Sequence, residues 1–302
     1  MRHLLPLQYI DTIARVGSIR KASEKLSITS TALNRRLLSL EEELGVKIFE
    51  RLPRGVRLSA AGEVLLHHIR MQVSDMERVK GQISDLAGER RGHVSIACSQ
   101  ALLTSFLPEQ IASYRNEHPG VTFSVYRRDR AAAENALLDL SADLAMVFEP
   151  VRLHDFKVLL TVRQPVFAVM SESHPLAKKE NIRLREYLQY PIALPGSDYG
   201  VREIIESAAR RISCRLNPVV ESDSFGFLRA QALAENIITF QIQIGLPNKE
   251  YSQGFVYKEI DEKEIPQGML YIGQLQGRTL PVAAARFANQ TLDYFDKHFD
   301  CN

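Results

Sequence analysis

Residues 17–36 read Gly17-Ser18-Ile19-Arg20-Lys21-Ala22-Ser23-Glu24-Lys25-Leu26-Ser27-Ile28-Thr29-Ser30-Thr31-Ala32-Leu33-Asn34-Arg35-Arg36, and the rest of the chain is organised around them. Ser18 after Gly17 is an N-cap signal, because its hydroxyl can accept a hydrogen bond from a first-turn amide. Ile19, Ala22 and Leu26 then share one helical face, and Ser27 breaks the pattern. A second helix starts within about four residues. Its apolar positions Ala32, Leu33, Leu37, Leu40 and Leu44 fall at helical spacing until Gly45 ends it. Two short helices joined by so tight a turn predict a helix-turn-helix, whose second helix fits the DNA major groove. Ser30, Thr31, Asn34, Arg35 and Arg36 lie on the outward face of that helix, able to reach base edges and phosphates. Ser18 and Arg20 at the preceding helix join the candidate DNA contacts. A solvated helical hairpin is the plain alternative.

The following segment extends the pattern. Val46–Phe49 and Val56–Leu58 read as short strands around a turn at Leu52-Pro53-Arg54-Gly55, where Pro and Gly set the geometry. Arg51, Arg54 and Arg57 crowd its edge, as a DNA-facing wing requires and as a solvated basic hairpin would also allow. From Ala60 to about Ala87 there is no proline, and one helix of roughly 40 Å is expected. Leu66, Ile69, Val73, Met76, Lys80, Ile83 and Ala87 alternate at three and four residues, an a/d stripe suited to a dimerising linker helix. A helix packed on its own domain would carry the same stripe. Gly88-Glu89-Arg90-Arg91-Gly92 is read as a hinge.

Several of these stretches occur together in a known family. Ala22-Ser23-Glu24-Lys25-Leu26, Ala32-Leu33-Asn34-Arg35, Leu40-Glu41-Glu42-Glu43-Leu44-Gly45, Phe49-Glu50-Arg51 and Arg57-Leu58-Ser59-Ala60-Ala61-Gly62 resemble the N-terminal domain of LysR-type transcriptional regulators, in order and without gaps. Ser30-Thr31 departs from the Gln-Pro most often found at the start of that family's recognition helix, so base preferences do not carry over. The resemblance implies a bacterial regulator that binds double-stranded promoter DNA as a homodimer or homotetramer. It also implies a small-molecule effector, with RNA polymerase a further candidate partner.

Charge is distributed consistently with that. Residues 1–92 hold 16 Lys/Arg against 11 Asp/Glu, and the remainder holds 22 against 25, giving +5 and −3 around a net +2. A basic head on a mildly acidic body suits a DNA-reading module joined to a sensing one. With 45% hydrophobic and 25% charged residues the chain is globular. No apolar run approaches the roughly 20 residues of a membrane span, and no export signal is recognised, so a cytoplasmic location without membrane association is expected. Three separated cysteines, Cys98, Cys214 and Cys301, form neither a disulfide framework nor a zinc pattern. No cofactor, metal or catalytic set is indicated: phosphate loops are missing, and His67-His68 lacks a glutamate at zinc-protease spacing.

From His93 strands alternate with helices. His93–Cys98, Val121–Tyr126 and Leu144–Phe148 are strands, with helices over Leu102–Glu117 and Ala131–Leu140, making a βαβαβ half of a parallel sheet. A second set comprises Val166–Met170, Ile192–Leu194, a helix over Val201–Arg211, Val219–Ser222, a helix over Phe225–Ala234 and Ile237–Phe240. Met269–Ile272 and a helix over Pro281–Phe299 follow. Crossovers near Thr161–Pro165 and Pro266–Met269 predict two lobes, resembling the type-2 periplasmic-binding-protein fold of LysR-family effector domains.

Ligands of open α/β sheets sit beyond the carboxyl ends of strands. That rule selects Cys98-Ser99-Gln100, Leu194-Pro195-Gly196-Ser197-Asp198-Tyr199 and Ser222-Asp223-Ser224, whose helix N-termini suit an anion. Helix capping explains the same serines without a ligand. The family resemblance makes Ser99, Ser197 and Ser224 effector contacts, and Phe148 a cleft wall or a core residue. Asp198 and Asp223 oppose a carboxylate. Cys98 reads as a buried strand end or a pocket-lining thiol. The expected architecture is an all-α-rich winged helix-turn-helix (1–59), a linker helix (60–89) and an α/β effector domain (90–302). The effector domain divides into lobe I, about 90–162 with 268–302, and lobe II, about 163–267. A solute-binding transport protein on the same two-lobed fold is the alternative.

Overall fold

A computed structural model describes residues 5–86, 91–151, 155–247 and 252–299, so Leu4, Ala87, the Gly88–Arg90 part of the expected hinge and Cys301 lie outside the described residues. The chain forms two compact units, Met1–Lys80 and Gly81–Asn302.

In the first unit, α1 (Leu5–Val16) buries Tyr9, Ile10 and Ile13 on one face. α2 (Ile19–Lys25) is capped by Ser18, whose hydroxyl accepts from the Lys21 amide at 3.4 Å. Ser27, with φ 54°, turns the chain into α3 (Ser30–Leu44). Thr29 caps that helix by accepting from the Ala32 amide at 3.2 Å, and Gly45 ends it in the left-handed region at φ 67°. The helix-turn-helix is thus built by the caps its sequence announces.

A hairpin follows, of β1 (Phe49–Leu52) and β2 (Gly55–Leu58), closing on Pro53-Arg54 with Leu52 opposite Gly55. The strand expected at Val46–Phe49 instead begins at Phe49. The cause is Glu41, a buried side chain of α3 whose Oε1 accepts from the Ile48 amide at 2.8 Å and the Phe49 amide at 3.2 Å. Those amides are committed to the helix, so the ladder begins at Phe49, opposite Leu58, and not at Val46. Lys47 completes the arrangement with Nζ 3.0 Å from Glu41 Oε2. Burial raises the Glu41 pKa, but the Lys47 contact and the two backbone donors outweigh it and hold the carboxyl below its ordinary value. At the other strand, Val56 N donates to Gly17 O at 2.9 Å. A Cβ on Gly55 would stand 2.3 Å from that same oxygen, and its φ of 119° also excludes other residues.

The 27-residue helix α4 (Ala60–Leu86) has the expected extent. Its stripe divides. Leu66 and Ile69 are buried in the core of the first unit with Ile10, Ile13, Leu33, Leu37 and Ile48, and Val73 packs against them. Ile83, 59% exposed, and Val79, 37% exposed, are left without such cover. The expected seam is therefore intramolecular in its first half.

The second unit is built on mixed sheets. β3 (Arg91–Cys98) is flanked in parallel by β4 (Gly120–Arg127) and β5 (Leu144–Phe148). β6 (Phe156–Gln164) and β12 (Gly268–Leu275) complete a five-stranded sheet in the order β4-β3-β5-β12-β6, with β12 antiparallel to both neighbours. Around it lie α5 (Phe106–Glu117), α6 (Ala131–Leu138) and α10 (Val282–His298). A buried Arg278 guanidinium pairs with Asp143 at 2.7 Å and donates to Ala142 O at 3.0 Å, tying the loop before α10 to the start of β5. The expected helix over Leu102–Glu117 is divided into a 3-10 turn at Gln100–Leu103 and α5. Pro108 explains this, since its ring is tolerated only in a helix's first turn.

Past Pro165 the chain enters a second set of strands. β7 (Val166–Ser171) lies between antiparallel β10 (Thr239–Ile242) and β11 (Phe255–Glu259). β8 (Ile192–Pro195) and β9 (Pro218–Ser222) pair in parallel, and an Ile192–Ile238 bridge joins β8 to the residue before β10. α7 (Leu184–Tyr187), α8 (Gly200–Arg211) and α9 (Phe225–Ala234) pack here. The strand expected at Ile237–Phe240 is shifted two residues to β10, because Ile238 makes the bridge.

Glu41→Ala should destabilise the protein by about 1–3 kcal/mol, since it strands two buried amides. The Glu41 contribution is present above the ordinary glutamate range and is lost as pH falls through its lowered pKa. Urea unfolding of wild type and variant between neutral and acid pH should therefore show the gap narrowing on acidification; a constant gap would refute this role.

Candidate functional site

Two sites follow from the fold, one in each unit. In the first, Ser30, Thr31 and Arg35 are exposed on α3, and Asn34 is half-buried beside them. Ser30 Oγ lies 2.8 Å from Ser23 Oγ. Ser23 already donates to Arg20 O at 2.7 Å, so Ser30 is the donor and keeps its lone pairs outward. Arg51 on the hairpin donates to Asn34 Oδ1 at 3.2 Å, coupling wing and recognition helix. That occupies the Asn34 oxygen and leaves its amide NH2 with no acceptor among the described residues.

The remaining basic residues differ in placement. Arg54 is exposed at the hairpin tip. Arg57 pairs across the hairpin with Glu50 at 2.7 Å, and Arg20 pairs with Glu24 at 3.1 Å along α2. Arg36 turns back toward α1, donating to the Tyr9 hydroxyl with its guanidinium 4.9 Å from the ring centroid. Ser18 is a helix cap. Nothing in the periodicity singled out Tyr9 as the partner of Arg36.

In the second unit, a small cavity of about 20 Å³ is lined by Ser99, Ala101, Asp129, Arg130, Phe148, Tyr199, Gly200, Val201, Phe225, Gln241 and Ile242. These come from the ends of β3, β4, β5 and β10 and from the starts of α8 and α9. The Ser99 hydroxyl accepts from the Phe148 amide at 3.1 Å and also bonds the Asp129 carboxylate. Gln100 N donates to Asp129 Oδ1 at 3.3 Å. Burial drives the Asp129 pKa up, opposed by the Gln100 amide, the Ser99 hydroxyl and the charge of Arg127. Phe148 is buried and doubles as wall and core.

Contacts run across the cleft between the two strand sets. Gln100 Oε1 accepts from the Phe225 amide at 2.9 Å, at the start of α9. Arg127 meets Asp223 at 3.4 Å and also donates to its carbonyl at 3.2 Å. Arg130 pairs with Glu203 at 2.8 Å and donates to Glu149 O at 2.9 Å. Tyr199 donates to Asp223 O at 2.9 Å, its ring edge-on to Phe225 at 5.5 Å.

Of the expected effector residues, Ser99, Phe148 and Tyr199 line the cavity, while Gln100 bridges it. Ser224 caps α9, accepting from the Phe227 amide at 3.3 Å. Ser197 is exposed outside the lining, and Cys98 is fully buried at the end of β3. Burial, then the Asp129 charge, pushes the Cys98 thiol up to about 12, so it stays protonated and unreactive. Asp129, Arg130 and Phe225 were not selected from sequence. The strand-end rule reaches Asp129 once it is applied to β4 as well as β3.

Among the described residues, no helix is long and apolar enough to cross a membrane. The family description "Bacterial regulatory helix-turn-helix protein, lysR family" matches residues 4–63, and "LysR substrate binding domain" matches residues 87–296. The uncharacterized HTH-type transcriptional regulator YybE of Bacillus subtilis is 25% identical, covering 96% of this chain and 98% of its own. The HTH-type transcriptional activator CmpR of Synechocystis is 26% identical over 70% of this chain and 69% of its own. Full-length OxyR from Pseudomonas aeruginosa superposes with a TM-score of 0.73 at 18% identity, covering 96% of this chain and 93% of that one. Full-length CbnR complexed with its target DNA gives 0.64 at 16% identity, covering 96% and 99%. None of these supports the solute-transport alternative. With both halves matched in order, the chain belongs to the LysR family of DNA-binding transcriptional regulators, a winged helix-turn-helix followed by a two-lobed effector-binding domain.

Proposed function

We propose that this regulator senses a small molecule in the cavity bounded by Ser99, Phe148 and Tyr199, and that occupancy alters how paired heads hold and bend promoter DNA. The observation that carries the proposal is the convergence of several strand ends and two helix starts on one cavity crossed by polar contacts. A ligand that fits the closed cleft better than the open one shifts the population toward closure. Within this proposal the chain divides into a DNA-binding domain (1–59), a linker helix (60–89) and an effector domain (90–302). Lobe I then covers about 90–162 and 268–302, and lobe II 163–267. The protein acts in the cytoplasm as a non-enzymatic dimer or tetramer, with RNA polymerase as a candidate partner. Structures of relatives are consistent with these partners: CbnR was solved on target DNA and the QuiR effector domain with shikimate.

On DNA, Arg35, Arg51 and Arg54 are assigned to phosphate, and Ser30, Thr31 and Asn34 to base edges. Arg20, Arg36 and Arg57 contribute positive charge from within local pairs, and Ser18 positions the first helix of the motif. Arg35→Ala should weaken binding to a promoter fragment and reduce the slope of log affinity against log salt by about one unit, with melting temperature preserved. A fluorescence-anisotropy salt titration with unchanged affinity and slope would remove Arg35 from the contacts.

Dimerisation is assigned to the later part of α4. Val79→Glu with Ile83→Glu places two charges where apolar side chains are exposed in the single chain, so folding should be retained. Burying those charges in an interface is strongly unfavourable, and sedimentation should show dissociation. An intact dimer would place the interface elsewhere.

A further inference from the structure

The cavity has a chemical polarity that decides what it can hold. Its only lining carboxylate, among the described residues, is Asp129, at the end of β4. Its only lining cation among the described residues, Arg130, is already held by Glu203 and by the Glu149 carbonyl. Arg127 behind Asp129 is likewise taken by Asp223. At the start of α9, two of the amides that would attract an anion are already committed. The Phe225 amide donates to Gln100, and the Phe227 amide to Ser224. An entering carboxylate would therefore meet Asp129 with no uncommitted guanidinium to compensate.

The other walls complete a different fit. Phe148, Tyr199 and Phe225 bring three aromatic rings to one small volume, with Val201 and Ile242 as aliphatic surface. Aromatic faces attract a cation, and the attraction grows when water is excluded. Opposite them, Gln241 is 3% exposed and lines the cavity. Its Oε1 accepts from the Ile242 amide at 3.1 Å, while its Nε2 makes no hydrogen bond among the described residues. Gly245 makes room for this amide, since a Cβ there would lie 2.8 Å from Nε2. An amide donor in the cavity wall that no described residue engages is open to an acceptor on a ligand.

We propose that the effector is a small organic cation: a protonated amine on an apolar or aromatic body, with a hydrogen-bond acceptor at its far end. Asp129 receives the ammonium, the aromatic walls hold the body, and Gln241 Nε2 donates to the acceptor. Ser99 acts indirectly. Its hydroxyl lies between the Phe148 amide and Asp129, so it positions the carboxylate. This assignment rests on the cleft being the sensing site and specifies the ligand class of that site.

Titration adds a second consequence. Burial raises the Asp129 pKa, and a bound ammonium favours the ionised carboxylate, so affinity should fall as pH is lowered. The charged and titratable groups around Asp129 are Arg127 beside it, Arg130 next in the chain, Cys98 on β3, and Tyr199 with Asp198 and Asp223 from the facing strands. Cys98 and Tyr199 both have raised pKa values and stay neutral through this range, leaving Asp129 as the responsive buried group.

The test uses the full-length protein with three probes of one shape: benzylammonium, benzyl alcohol and benzoate at matched ionic strength, titrated by calorimetry. Benzylammonium should bind saturably, benzyl alcohol about tenfold or more weaker, and benzoate not at all. Asp129→Asn keeps an oxygen for the Gln100 amide and should retain the fold while abolishing the preference for the cation. If that variant fails to fold, the wild-type pH series decides, with weaker benzylammonium binding on acidification expected. Saturable benzoate binding that Asp129→Asn strengthens would overturn the cation class and leave the sensing cleft standing. Benzylammonium binding that Asp129→Asn leaves unchanged would overturn the assignment of Asp129 and place the probe outside this cleft. No binding by any probe, or cation binding insensitive to pH, would overturn the proposed class, while small molecules co-purifying with the protein test the cleft itself.

Discussion

Two chain crossings govern the sensing half. The backbone leaves the five-stranded sheet after Gln164, passes through Pro165 into β7, and returns only at Gly268 to form β12 between β5 and β6. Everything from Val166 to Gly268 therefore hangs on a pair of adjacent strands, since β6 and β12 are hydrogen-bonded neighbours. Gln164 reinforces the junction, its buried side-chain oxygen accepting from the Ile244 amide at 2.9 Å. The placement of the cavity follows from this connectivity. Strand ends on one side must face helix starts on the other, and polar groups that point into the gap have to find partners across it. Gln100 with Phe225, Arg127 with Asp223, and Arg130 with Glu203 are those partners.

Local signals told more than long-range ones, and particular residues show why. Ser18, Thr29 and Gly45 act on amides within a few residues, so both helices of the motif could be placed from them. Val46–Ile48 has strand-like composition, yet the Ile48 and Phe49 amides are taken by Glu41 seven and eight residues earlier. No pattern of periodicity reveals a carboxylate that reaches back to the backbone. β6 escaped recognition because an edge strand with exposed Lys157 and Val158 between buried Phe156 and Val162 has no clean alternation. Leu66 and Ile69 fit a heptad seam and a domain core equally well. Only the neighbours, Ile10 and Leu33 among them, distinguish the two.

The cavity itself was half legible. The ends of β3 and β5 could be found from apolar runs, so Ser99 and Phe148 emerged. Asp129 and Arg130 did not, because a lone polar residue after a strand looks like any loop residue until the fold closes over it. Their significance is geometric. Asp129 is held by two donors and lies against an aromatic enclosure, and Gln241 lines the same cavity with its oxygen taken by the Ile242 amide.

The clamp at Glu41 bears on the DNA-reading head as a moving part. The first strand of the hairpin is fastened to the last turns of α3 through two amides, and the second to the α1–α2 turn through Val56 and Gly17. Arg51 and Asn34 add a third tie near the tip. A hairpin held at both roots has no independent swivel, so groove-reading helix and wing travel as one rigid piece. On the proposed mechanism, each head then presents the same set of groups to its half-site in every regulatory state. What remains variable is the distance and angle between two such heads, which acts on the curvature of the duplex joining them. On the proposed mechanism, a regulator of this construction alters transcription by reshaping its operator while continuing to read the same letters.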